Sequence, residues 1–193
     1  MRLLGALALW GAALAAAGSA AAALPAPGDL HGSFVQEKRV EGLPKALRSG
    51  GNFALLRGHG LVWRTLSPLQ GTVVLGAHGV WALDSAGVSR RLATGGDALE
   101  LMSQLLDQDS AGLGPLFKVS PLPAATGFHD ALEPKAPLLR RLFRRVEIWG
   151  PAPGAVSKVL LSEASGDSTL IRFQGVQAGA TSLDPKEEAL LAP

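Results

Sequence analysis

The sequence predicts an α+β fold, in which antiparallel strands form one sheet and helices pack on one of its faces. Three observations predict it. Short strand-like segments recur between Ser33 and Leu92, with glycine-bearing turns separating them. The hydrophobic period then switches from that of a strand to that of a helix between Asp97 and Asp107. After this interruption, three further strand-like segments close the chain between Arg144 and Gln174.

The elements follow in order. Ser33 to Val40 alternates, with Phe34, Gln36, Lys38 and Val40 on one face and Val35, Glu37 and Arg39 on the other. Asn52–Arg57, Leu61–Leu66, Thr72–Leu75, Val80–Asp84 and Val88–Leu92 read as further strands. Their separators, Gly58-His59-Gly60, Ala77-His78-Gly79 and Ser85-Ala86-Gly87, are hairpin-like, so neighbours should pair antiparallel. From Asp97, which reads as the N-cap after Gly95-Gly96, the residues Leu99, Met102, Leu105 and Leu106 fall at helical spacing. Ser110 to Ala125 reads as a loop rich in Gly, Pro and Ser. Phe128–Leu132 is strand-like, and Ala136–Leu142 fits a second short helix. Arg144–Trp149, Val156–Glu163 and Ser168–Gln174 are the closing strands, the last two joined by the turn Ala164-Ser165-Gly166-Asp167. Within the polar tail, Asp184–Ala189 fits one helical turn.

The N-terminus has its own pattern. Met1-Arg2 precedes an apolar run from Leu3 to Ala17, and the small residues Gly18 to Ala23 precede Leu24-Pro25. A short apolar core ending in an A-x-A pattern is what a signal peptidase reads. Residues 1–23 are therefore expected to be a cleaved export signal, and 24–193 a single domain working in the periplasm. A spanning helix would need about 20 predominantly apolar residues with polar or basic flanks, whereas this run dissolves into Ala, Gly and Pro.

Composition excludes several classes. Lys and Arg number 18 against 16 Asp and Glu, a balance that gives no electrostatic footprint for nucleic acid. Tyr is absent, which argues against base-stacking platforms. Cys is also absent, so neither a disulfide nor a lipidated cysteine can form.

Chemistry-bearing patterns are equally scarce. His31, His59, His78 and His129 do not stand at metal-ligand spacing from one another, and no metal or other cofactor is expected. The chain lacks a G-x-S-x-G elbow, an S-x-x-K box and a phosphate-binding loop. No catalytic residue is assigned, and the expectation is a binding protein, not an enzyme. Arg140-Arg141-Leu142-Phe143-Arg144-Arg145 is the one basic cluster. It reads either as a solvated helix-to-strand corner or as a patch for anionic headgroups or an acidic partner.

Several segments carry a family resemblance. They are Phe34-x-Gln36, Ser49-Gly50-Gly51-Asn52-Phe53, Arg57-Gly58-His59-Gly60-Leu61-Val62-Trp63, Ser67-Pro68, Thr72-Val73-Val74 and Gly79-Val80-Trp81-Ala82-Leu83-Asp84. Near the C-terminus, Glu163 to Phe173 adds to them. In order and spacing they resemble the periplasmic outer-membrane lipoprotein carriers, the LolA-like family. The resemblance implies an antiparallel half-barrel sheet with helices covering the concave face, and an apolar cavity between them for lipoprotein acyl chains or another envelope lipid. It implies an inner-membrane exporter and an outer-membrane acceptor as partners, no nucleic acid, and a monomer. In that reading the cavity is lined by Phe34, Phe53, Leu61, Trp63 and Trp81 with Leu99, Met102 and Leu106 of the helix. Arg57 matches the arginine that holds the helical lid closed. Without the resemblance, Trp63 and Trp81 would read as ordinary core packing. The runner-up reading is a non-catalytic envelope interaction protein or a glycolipid-transport accessory.

Overall fold

The computed structural model describes residues 28–84, 86–92, 96–107, 110–152 and 155–192. The expected export signal, residues 1–23, lies outside the described residues.

Eleven strands form one antiparallel sheet. The first meander is β1 (Leu30–Arg39), β2 (Leu47–Leu56), β3 (Gly60–Ser67), β4 (Gly71–Gly76), β5 (Gly79–Leu83) and β6 (Ser89–Arg91). Helices α1 (Gly96–Asp107) and α2 (Ser110–Leu116) follow. The second meander is β7 (Phe117–Pro121), β8 (Phe128–Pro134), β9 (Phe143–Gly150), β10 (Lys158–Glu163) and β11 (Ser168–Ala178), with α3 (Pro137–Leu142) between β8 and β9. Helix α4 (Pro185–Leu191) ends the described chain. The spatial order is β6-β5-β4-β3-β2-β1-β11-β10-β9-β8-β7. The two meanders therefore join through β1 and β11, and β6 and β7 are the edge strands of the sheet among the described residues.

The sheet must curl. Trp63 on β3 and Leu132 on β8 belong to one buried cluster, although six strand steps separate their strands. At about 4.8 Å per step, a flat sheet would hold them nearly 30 Å apart. An open half-barrel, with the cluster filling its concave side, is the geometry that reconciles the two.

Where the sequence-based reading differs, packing is the reason. The segment 110–125, expected as a loop, contains α2 and β7. Its Gly and Pro content disfavours regular structure, but Leu113 and Phe117 are buried in the main core, and that burial outweighs weak local propensity. Pro121 is tolerated because β7 is an edge strand. The closing strand also runs past Gln174 to Ala178, because β1 keeps offering it partners as far as Leu30. The tail helix forms as its sequence suggests. Asp184 accepts from the Lys186 amide at 2.9 Å, Glu187 reaches back to the Asp184 amide at 2.9 Å, and Pro185 occupies the first turn.

Candidate functional site

Strand alternation divides the side chains between two cores. On the concave face, Phe53 pairs with Trp63, and Leu55 with both Leu30 and Leu61. Phe34 pairs with Phe173 across the β1–β11 junction. The four aromatic side chains make a continuous floor. Phe34 stacks on Trp63, and Phe173 meets Phe53 edge-on at 5.3 Å and Trp63 edge-on at 6.2 Å. Such offset and edge-on contacts add to the burial of apolar area itself.

Helix α1 closes over this floor. Leu101, Met102, Leu105 and Leu106 are each no more than 3% exposed and share one cluster with Phe34, Phe53, Leu61 and Trp63. An unbranched, polarisable Met among leucines is well suited to repacking when a neighbour moves. Six residues expected to line the cavity, Phe34, Phe53, Leu61, Trp63, Met102 and Leu106, thus come together. Leu99 lies on α1, with its side chain outside the described residues. Leu101 and Phe173 were missed, yet both had a signal. Leu101 stands four residues before Leu105 on the helix, and Phe173 alternates with Ile171 on a strand.

Trp81 is a correction. Its partner is Val74, which in turn faces Val62, which faces Ala54. Those residues belong to the second, smaller core on the convex face, with Leu83 and with Leu191 of α4. Trp81 is half-buried on that side and does not share a face with Trp63. Alternation has a period of two, so the parity set by the Ala77-His78 turn decides the face.

Arg57 sits in the β2–β3 turn and is partly buried. Its Nε donates to the Gly28 carbonyl at 2.7 Å, and its backbone amide donates to Asp29 Oδ1 at 3.0 Å. These bonds tie the segment entering β1 to the first hairpin.

The convex face is polar away from α4. His129 Nε2 lies 2.7 Å from Glu147 Oε2, and its ring stacks on Trp149 with centroids 4.3 Å apart. The Lys158 ammonium stands 3.6 Å over the same indole. Under α4, Arg64 forms a two-pronged pair with Glu187 at 2.7 and 2.5 Å and also reaches Asn52. In the basic cluster, Arg140 donates to the Pro134 carbonyl and Arg144 to the Ala164 carbonyl, each at 3.0 Å, while Arg145 lies 3.1 Å from Glu147. Arg141 is exposed. Most of that cluster thus has a structural occupation at the helix-to-strand corner.

Among the described residues, no three His, Asp or Glu side chains gather as a metal site. Among the same residues, no helix is long and apolar enough to cross a membrane.

No family model matches the chain, and no curated protein matches it. Among solved structures, it is similar to a LolA superfamily protein from Nitrosomonas europaea, with a TM-score of 0.45 and 7% identity over 81% of this chain and 88% of that one. It is also similar to an outer membrane lipoprotein-sorting protein domain from Vibrio parahaemolyticus, with a TM-score of 0.42 and 11% identity over 86% and 92%. A third similarity is to the Pseudomonas aeruginosa MucA/MucB complex, with a TM-score of 0.45 and 16% identity; the match covers 82% of this chain and 54% of that one.

Proposed function

We propose that this chain is a periplasmic carrier that takes acyl chains of lipoproteins, or of another envelope lipid, between its concave sheet and helix α1, without chemistry of its own. One observation carries the reading. An aromatic floor of Phe34, Phe53, Trp63 and Phe173 is roofed by helix α1, whose leucines and Met102 share its buried cluster. A second sheet would be hard to lift from such a floor. One short helix is not, because only its own apolar stripe must be exchanged for acyl chain, and each buried CH₂ returns about 0.8 kcal/mol.

In this reading the described arrangement is the closed one, with the α1 side chains buried against the floor. Cargo enters by displacing Leu101, Met102, Leu105 and Leu106, and leaves when they return. The family resemblance in the sequence supports the periplasmic setting, with an inner-membrane exporter upstream and an outer-membrane acceptor downstream. Trp63→Glu places a charge on the floor, where an acyl chain cannot compensate it. Wild-type protein should bind a fluorescent fatty acid and Trp63→Glu should not, with the circular dichroism of the sheet retained. Equal binding by both proteins would remove the floor from the mechanism.

A further inference from the structure

At the end of the sheet where β10 begins, β11 runs on past its partner. Lys158 faces Arg172 as the first pair of that ladder, and β11 then continues to Ala178 beside β1 alone. The notch this leaves is a cleft of about 630 Å³. Among the described residues its walls carry two cations, Lys158 and Arg172, and no carboxylate, and its apolar surface comes from Trp149, Phe128 and Phe173.

Two features of this notch are unusual. Like charges directly opposite one another on neighbouring strands are destabilising, yet Lys158 and Arg172 stand so. Lys158 rests on the Trp149 indole and meets no carboxylate among the described residues. Arg172 has only a 3.5 Å approach to Glu37, which also lies 3.7 Å from Arg48. The site is therefore short of negative charge. Phe173 adds the second feature, since it lines the cleft and also belongs to the aromatic floor, touching Phe53 and Trp63. The cleft thus turns about the start of β10, from Lys158 and Arg172 on the convex face to Phe173 on the concave one.

We infer that this cleft holds the anionic headgroup of the cargo, so that the ligand is a singly charged, phosphate-bearing lipid whose chains run past Phe128 and Phe173 toward the floor. The inference rests on the carrier reading and narrows it to a lipid class. A neutral diacylglyceryl group would leave the two cations unanswered, whereas a phosphodiester bridges them. Arg presents a planar fork to phosphate, and Lys a point charge fixed by the indole.

The test compares lipids of identical chains. Dihexanoyl phosphatidylglycerol, dihexanoylglycerol and inorganic phosphate are titrated calorimetrically into the protein lacking residues 1–23. The parent should prefer the anionic lipid over the neutral one by about tenfold, a preference that shrinks at high salt. Lys158→Gln with Arg172→Gln should bind both lipids alike, at the parent's affinity for the neutral one, while Lys158→Arg keeps the preference. A parent that binds both lipids equally, or a double variant that keeps the preference, overturns the headgroup site and leaves the carrier reading standing. Phosphate binding as tightly as the anionic lipid makes the cleft a free-anion site and also overturns the inference. A parent that binds neither lipid overturns both readings.

Discussion

The indole of Trp63 lies on the ring of Phe34 with centroids 3.9 Å apart and planes 25° from parallel. The two residues stand on β3 and β1, so the stack reaches across β2. It can do so because the concave-face residue of β2 opposite Phe34 is Gly51. A Cβ there would lie 1.8 Å from the Arg64 carbonyl oxygen. The missing side chain leaves room both for the β3 backbone and for the stack above.

This arrangement makes Trp63 a packing residue of the core. Trp63→Ala should lower the free energy of unfolding by about 3–5 kcal/mol, in the range of buried aromatic truncations. Trp63→Phe keeps a ring over Phe34 and should cost well under half of that. Urea denaturation of the three proteins decides the matter. A loss below about 1 kcal/mol for Trp63→Ala would mean that the floor is loosely held.

Arg57 gives a prediction with two readouts. Its Nε bond to the Gly28 carbonyl is charge-assisted, and such bonds contribute roughly 1.5–3 kcal/mol when partly buried. Arg57→Leu should lower stability by up to that amount, and Arg57→Lys should not restore it, because an ammonium lacks the planar fork. If Arg57 also governs closure, loaded Arg57→Leu should still accept a fluorescent fatty acid but deliver it more slowly to acceptor vesicles. Unchanged stability and an unchanged transfer rate together would leave Arg57 a surface residue.

Much of this fold can be read from residue order, because hairpins leave their mark locally. Glycine-bearing turns and alternating strands placed nearly every strand of the first meander, and helical spacing from Asp97 marked α1. Segment 110–125 was illegible for the opposite reason. Its Gly and Pro residues speak for a loop, and only the burial of Leu113 and Phe117 in a core built by distant strands overrules them. Trp81 marks another limit. Composition identifies the strand, but face depends on register parity across three turns, and a single residue's error in that count exchanges the two sides of the sheet. The Lys158–Arg172 opposition was invisible for a related cause, since it depends on which residues of β10 and β11 align.

The last prediction concerns the convex face, where α4 covers β3, β4 and β5. Two features hold it. Glu187, 4% exposed, receives both prongs of Arg64. At the other end the Leu190 carbonyl oxygen comes so near Gly76 that an added Cβ would lie 2.2 Å from it. That neighbour is helix backbone and cannot rotate aside as a side chain could. Gly76→Ala should therefore lift the C-terminal turn of α4, uncover Val62, Val74 and Leu83, and cost about 1–3 kcal/mol as an overpacked site. Gly71→Ala, on the same strand, is the control: nothing lies within 4 Å of its added Cβ, so stability should change by no more than about 0.5 kcal/mol. Glu187→Ala should cost more than either, about 3 kcal/mol or above, because it strands the Arg64 guanidinium at a largely buried site and removes half of the capping box. Hydrogen exchange locates these effects. In Gly76→Ala and Glu187→Ala, faster exchange should appear in α4 and along the β4 amides, while the β8–β9 ladder stays protected. Uniform loss of protection across the sheet would mean that α4 is part of one cooperative core, not a cover on its outer face.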